Sequence, residues 1–230
     1  MSTVRIDEAT ATMISLIGSL ADNKSALGRR YGEWAVSAPT IESAVAAAAM
    51  AQDELGHARS TYPVLAKLGV ERSEETGLDS GDPLPVISSE LPDWASFIAA
   101  NLVVDGVLTT FVASARDSSI EPLAQRARKI LQEEGAHKVH AEAWARRIRR
   151  AGGSDLELLV QRIEEMWASA ARWPGPDDHE GYRSAMAAGM VEWGPLVIRD
   201  QVRDWLGPQL AGLSLDEPAD WSGWDEVSRR

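Results

Sequence analysis

Two short segments with the same pattern constrain this chain more than any other feature of its sequence. Residues 52–57 read Gln-Asp-Glu-Leu-Gly-His, and residues 132–137 read Gln-Glu-Glu-Gly-Ala-His. In each segment a Glu is followed three positions later by a His, and residues with this spacing project from one face of an α-helix. Two such helices facing each other would bring four side chains to one interior point: Glu54, His57, Glu134 and His137.

This pattern predicts a metal site inside a helical bundle. Ferritin-like di-metal bundles take a Glu-x-x-His pair from each of two helices and a single carboxylate from each of the other two. The chain contains no cysteine, so its donors would be oxygen and imidazole nitrogen. Such donors suit iron or manganese, with zinc as a further possibility.

Hydrophobic periodicity predicts six helices, at about 4–34, 41–68, 93–116, 121–151, 155–173 and 179–206. Thr40 is the expected N-cap of the second helix, and Gly69 its expected terminator. Residues 71–91 are rich in Gly, Pro, Ser and acids, which favours a long crossover loop of the ferritin-like kind. The alternative for this segment is a linker between two domains.

The predicted fold is therefore all-α: a ferritin-like four-helix bundle with two additional C-terminal helices. A chain of 230 residues is long enough for one domain with a sizeable core. We expect that domain to cover residues 1–206. Residues 207–230 are expected to form an irregular tail that docks on the body or on a partner.

Composition narrows the choice of partners and location. The net charge of −12 argues against a nucleic-acid partner, which would favour a basic surface. The lack of cysteine excludes disulfides and iron–sulfur clusters and favours a cytoplasmic location. The first 20 residues lack the basic start of a signal peptide, and we expect no run long enough to cross a membrane.

The two halves of the chain repeat, each with a helix followed by a Glu-x-x-His helix. Asp105 lies within an apolar run, 29 residues before Glu134, and a carboxylate buried there needs a partner. The corresponding position, 30 residues before Glu54, is Lys24. The expected fourth carboxylate of a di-metal site is thus replaced by a cation.

Three arrangements remain open from the residues alone. A di-metal site could persist with a water, Asp22 or Glu33 in the missing position. One metal ion could bind the half of the site that holds Asp105, Glu134 and His137. The site could also hold no metal, with Lys24 forming ion pairs to the carboxylates.

Four segments resemble the ferritin-like subunits of phenylacetyl-CoA ring-epoxidase, also called phenylacetate-CoA oxygenase. They are Ala-Pro-Thr at 38–40, Asp-Glu-Leu-Gly-His-Ala-Arg at 53–59, Val-Asp-Gly at 104–106 and Glu-Glu-x-x-His at 133–137. The resemblance covers most of residues 16–206. In that family a catalytic subunit holds a di-iron site, and a paralogous structural subunit has lost most of the ligands.

The resemblance implies a role for each candidate residue. By position, the metal ligands are Glu54, His57, Asp105, Glu134 and His137. The carboxylates Glu54, Asp105 and Glu134, together with Lys24, would make up the catalytic site. Lys24 falls where the catalytic subunit has its first glutamate, and residues 20–23 and 32–34 look more like the structural subunit.

The first function that the resemblance implies is a di-iron oxygenase component. It would insert oxygen into an aromatic acyl-CoA or related substrate. No flavin or iron–sulfur motif is visible, so a separate reductase would be needed, and we expect a homodimer or a heterodimer with a paralogous subunit. The alternative is a non-catalytic structural partner whose metal-free pseudo-site is held by Lys24 ion pairs. A third possibility is iron storage.

Overall fold

The computed structural model describes residues 7–72, 81–210 and 212–230. This part of the chain contains eight helices and no strand, which confirms the all-α prediction. The helices are α1 (Glu8–Trp34), α2 (Ile41–Lys67), α3 (Pro85–Ser88), α4 (Trp94–Ser114), α5 (Glu121–Ala151), α6 (Gly153–Ala170), α7 (Glu180–Ala187) and α8 (Pro195–Leu206).

Local signals set the ends of the first two helices. Asp7 caps α1 by accepting a hydrogen bond from the Thr10 amide at 2.8 Å. The predicted start of this helix near residue 4 lies outside the described residues. Thr40 caps α2 by accepting from the Ser43 amide at 3.2 Å, and Gly69 follows α2 with a φ of +84°. The predictions for Thr40 and Gly69 are confirmed.

Four long helices form the bundle. The α1–α2 hairpin packs along its length, and α4 and α5 complete the bundle with α5 against α2. The crossover from α2 to α4 contains the short helix α3, while residues 73–80 of the predicted loop lie outside the described residues. Two neighbouring residues in the middle of α1 bind the crossover. Asp22 accepts from Arg72 at 2.8 Å, and the buried Asn23 accepts from the Leu84 amide at 2.8 Å.

Helix α4 is not the uninterrupted α-helix that periodicity predicts. Its central residues, Ala100–Asp105, form a π-helical segment, and all six are buried. A π segment widens the helix locally and changes the direction in which the following side chains point; such segments are frequent at functional sites. Here the segment ends at Asp105, the one acidic residue of this apolar helix.

Helix α4 also corrects the expectation about membrane-spanning length. With 21 residues and a mean hydropathy of 1.7, Trp94–Ser114 is long and apolar enough to cross a membrane. However, 83% of the most apolar 18-residue window of this helix is buried inside the bundle. Its apolar side chains therefore form part of the core of the bundle.

The prediction of one continuous helix at about 179–206 is wrong. The structure has two helices in this range, α7 and α8, so the C-terminal part has three helices rather than two. Gly189, with a φ of +66°, ends the first, and Gly194-Pro195 begins the second. A proline is favoured at the first position of a helix, and a glycine is favoured where φ is positive.

The C-terminal tail lies against the body of the bundle. Glu226 accepts a hydrogen bond from the Thr12 hydroxyl at 2.7 Å. The buried Arg229 donates to the carbonyls of Trp173 and Pro174, both at 2.7 Å. The guanidinium thereby satisfies two carbonyls that follow α6 and joins the end of the chain to the body.

Candidate functional site

Lys24 lies at the centre of the bundle, surrounded by carboxylates from three other helices. Its Nζ donates to Asp105 Oδ1 at 2.5 Å, to Glu54 Oε1 at 3.1 Å and to Glu134 Oε1. Lys24 comes from α1, Glu54 from α2, Asp105 from α4 and Glu134 from α5. All four residues are buried, and Lys24 and Glu54 have no exposed surface. The four long helices therefore meet at this cluster.

Both predicted histidines belong to the same cluster. The Nδ1 atom of His57 lies 3.3 Å from Glu134 Oε1, and that of His137 lies 3.3 Å from Glu54 Oε1. His137 Nδ1 also approaches Asp105 Oδ2 at 3.6 Å. The structure thus brings together the five predicted metal ligands and Lys24. We call this set the Lys24 cluster: Lys24, Glu54, His57, Asp105, Glu134 and His137.

The outer nitrogen of each histidine contacts an acid of the opposite helix. His57 Nε2 on α2 lies 2.9 Å from Glu133 Oε2 on α5, and His137 Nε2 on α5 lies 3.2 Å from Asp53 Oδ2 on α2. A carboxylate in this position fixes the orientation of an imidazole ring. The signal in the sequence was the acidic residue directly before each glutamate, but the crossed pairing could not be read from it.

Asp22 and Glu33, the candidates for the missing carboxylate, bind other partners. Asp22 is occupied by Arg72 and by the Tyr62 hydroxyl, each at 2.8 Å. Glu33 pairs with Arg30 at 2.8 Å and is partly exposed. The arrangement in which Asp22 or Glu33 completes a di-metal site is therefore wrong.

The carboxylates make the cations of the cluster hard to deprotonate. Burial alone would lower the pKa of Lys24, but Asp105, Glu134 and Glu54 outweigh it and raise the pKa well above its usual value. Burial likewise opposes the charged form of His57, whereas contacts with Glu134 and Glu54 raise its pKa to about 9. The pKa of His137 is raised in the same way, against burial, by Asp105, Glu134 and Glu54.

The pKa values of the two glutamates are lowered, whereas that of Asp105 is raised. Burial favours the neutral form of Glu134, but Lys24 and the two imidazoles hold its pKa well below the usual range. The pKa of Glu54 is also lowered, mainly because Lys24 overcomes its burial. Burial and the two glutamates raise the pKa of Asp105 to about 6. These pKa shifts favour ionised glutamates facing a charged ammonium and protonated imidazoles, so the opposite charges of the cluster offset one another.

The donor set of the cluster meets only part of what a metal ion needs. Donor atoms of Glu54, Asp105, Glu134 and His137 lie within 4.8 Å of one another, a spacing that could hold one ion. However, the Lys24 ammonium contacts an oxygen of all three carboxylates, and the raised pKa values of both imidazoles favour their protonated forms. With Lys24 in this position the residues do not fit a pair of metal ions. A single ion would fit only after Lys24 withdraws and His137 loses a proton.

Two cavities approach the cluster from different sides. One, of about 210 Å³, lies between α4, α5 and α8 and is lined by Asp105 and Glu134 of the cluster. At this cavity the Lys138 ammonium stacks on the Trp205 ring at 4.5 Å. The other, of about 230 Å³, lies between α2 and α5 over His57 and is lined by Asp53 and Glu133.

Fold and centre together define the class: a ferritin-like helical bundle with a buried carboxylate–histidine centre shared by its four long helices. The sequence model of the family described as "Phenylacetic acid catabolic protein" matches residues 1–230, so this chain belongs to that family.

Two relatives from Escherichia coli (strain K12) show the similarity in detail, and both belong to 1,2-phenylacetyl-CoA epoxidase. The chain is 27% identical to one component of that enzyme over 159 residues, which cover 66% of this chain and 63% of the relative. It is 25% identical to a second, different component over 182 residues, which cover 78% of this chain and 59% of the relative. The chain thus spans less than two thirds of the length of either.

Proposed function

We propose that this chain is a subunit of an oxygenase that acts on an aromatic acyl-CoA or a related thioester, and that Lys24 takes the place of a metal ion in its own centre. The observation that carries the proposal is that one ammonium group contacts all three buried carboxylates. The chain would be the structural partner of a paralogous, metal-binding ferritin-like protein. Electrons would reach that partner from a separate reductase.

Electrostatics supports this assignment. Three buried carboxylates need cations, because an unpaired charge in the interior is very costly. Lys24 and the two imidazoles balance them with groups that belong to the chain itself. A divalent ion would have to displace the ammonium and release at least one imidazole proton before it could bind. The centre can therefore hold the bundle together without a supply of iron.

A second assignment is favoured by a specific observation. Within the described residues, the Nδ1 atoms of His57 and His137 are buried and make no hydrogen bond of good geometry. Together with the donor spacing, this is the pattern of a chain that binds iron, or manganese, at Glu54, Asp105, Glu134 and the two histidines. In that case the chain would itself be the oxygenase component. The cytoplasmic location suggested by the lack of cysteine belongs to both assignments.

Metal analysis separates the two assignments. We would express the wild-type chain, Lys24→Glu and the control Lys67→Glu with added iron and measure bound metal by inductively coupled plasma mass spectrometry. Lys67 is exposed at the end of α2, so its replacement leaves the centre unchanged. We expect little iron in the wild type and in the control, and about two irons per chain in Lys24→Glu, which restores a fourth carboxylate.

Two outcomes would contradict the proposal. About two irons in the wild type would make this chain the oxygenase component. Absence of metal from a folded Lys24→Glu variant would mean that Lys24 is not what keeps metal out of the centre.

A further inference from the structure

Helix α2 presents a regular stripe of residues to solvent. The exposed residues in this stretch follow one another at alternating intervals of three and four. This is the repeat by which one helix packs lengthwise along another in a coiled coil. The other faces of α2 already pack on α1 and α5. We call these residues the α2 stripe: Glu42, Val45, Ala49, Gln52, Gly56 and Arg59.

The α2 stripe has a charged residue at each end and no charged residue between them. Val45 is 66% exposed, and Ile41 beside it is 77% exposed. Residues 43–52 carry no charge in a chain of which 25% is charged. Ile41 and Val45 lie one turn apart on α2, and exposed apolar side chains that adjoin in this way favour a contact surface.

Gly56 leaves room for a partner to approach the α2 stripe closely. A Cβ placed on Gly56 would meet no atom within 4 Å, whereas a Cβ on Gly28 would lie 2.8 Å from Leu55 Cγ. Gly28 is therefore required by packing within the chain, and Gly56 is not. Glycine weakens a helix interior, so a glycine with open space beside it suits a close approach from outside the chain.

The stripe is complementary to itself. Reversing its order about the midpoint between residues 50 and 51 sets Glu42 against Arg59, Val45 against Gly56 and Ala49 against Gln52. We propose that α2 packs antiparallel against α2 of a second copy of this chain, about a two-fold axis at that midpoint. The geometry repeats every contact twice, as a two-fold interface requires.

Charge and shape select this orientation and this occupant. A parallel pair would set Glu42 against the same residue of the second copy, whereas the antiparallel pair sets opposite charges together at both ends. Val45 then fills the open space at Gly56, and the small residues near the axis let the helices approach closely. A self-complementary register is expected for two identical chains and is not required for contact with a different one.

The pairing has a consequence for the centre of the bundle. Gln52 and Gly56 also line the cavity of about 230 Å³ over His57. A second α2 along the stripe would cover that cavity and bury Asp53, whose carboxylate contacts His137. The pairing rests on surface residues alone and holds whether Lys24 or a metal ion occupies the centre.

Sedimentation velocity on the full chain tests the pairing. We expect a dimer at micromolar concentration, and dissociation constants at least about tenfold higher for Gly56→Leu and for Glu42→Arg. The double variant Glu42→Arg/Arg59→Glu restores opposite charges and should recover the dimer. The control is Glu180→Arg, which makes the same charge reversal at an exposed residue of a different helix, α7. All four positions are exposed, and circular dichroism would verify that the variants fold.

A cross-linking experiment locates the interface directly, because the chain has no cysteine of its own. A short bis-maleimide should link Ala49→Cys into a dimer much faster than Met186→Cys, which is exposed on α7. A wild type that stays monomeric at about 100 µM would overturn the proposal. So would a dimer that Gly56→Leu and Glu42→Arg leave unchanged, or equal cross-linking of the two cysteine variants.

Discussion

Replacing Lys24 with methionine removes the ammonium group and keeps most of the apolar stem. The three carboxylates would lose contacts that now lie at 2.5 Å for Asp105 and 3.1 Å for Glu54, together with the contact to Glu134. Removing one partner of a buried ion pair costs about 3–5 kcal/mol, because the other partner stays buried without compensation. We expect a loss of this size at about pH 7.5, out of a total stability of about 5–15 kcal/mol for a typical domain.

The free energy of unfolding would be measured by urea titration at about pH 7.5 and about pH 5.5. In the variant, Lys24 no longer holds down the pKa values of Glu54 and Glu134, so these residues take up protons at a higher pH. Burial then raises their folded pKa values above the unfolded ones, so the stability of the variant falls as pH rises. The deficit relative to wild type should therefore be smaller at the lower pH.

Lys67→Met serves as the matched control, because this lysine is exposed. Its stability should stay within about 0.5 kcal/mol of wild type. A deficit below about 1 kcal/mol for Lys24→Met, or one that does not change with pH, would refute the reasoning that Lys24 neutralises the buried carboxylates.

Three further changes have definite expected results. The pKa of His57 is about 9 in the folded chain compared with an ordinary value of 6.5, so its stabilisation is complete below pH 6.5 and is lost as pH rises through 9; calorimetry should show a melting temperature that falls over this range. Asn23→Ala should cost about 1–3 kcal/mol and speed hydrogen exchange at the Leu84 amide, which loses its buried acceptor. Arg229→Met should cost about 1–3 kcal/mol and make the tail sensitive to limited proteolysis, because the Trp173 and Pro174 carbonyls lose their donor.

Spacing in the sequence was enough to predict the composition of the cluster. Helical periodicity places Glu and His of each Glu-x-x-His segment on one face, and the repeat of the two halves points to Asp105 and Lys24. Local rules also predict the cap at Thr40. The predicted start of the third helix is off by one residue. The prediction makes Asp93 the first residue of that helix, whereas the structure shows that Asp93 is its N-cap. Short-range chemistry is thus sufficient for most helix ends.

Other features depend on packing that spacing does not encode. The π segment that ends at Asp105 leaves no mark in an apolar run of this kind. The crossed contacts of Asp53 and Glu133 require the relative position of α2 and α5. The break between α7 and α8 was readable, because Gly194-Pro195 is a helix-start signal, but the amphipathic pattern on both sides suggested one continuous helix.

The occupancy of the centre is the central claim, and anomalous diffraction from crystals of the wild-type chain, grown with excess iron(II) under anaerobic conditions, tests it most directly. Data collected on both sides of the iron absorption edge would reveal iron at the centre independently of the fitted side chains. We predict no anomalous peak there, and electron density for Lys24 Nζ within hydrogen-bond distance of Glu54, Asp105 and Glu134. Strong anomalous density bound by these carboxylates, with Lys24 turned away, would contradict the account.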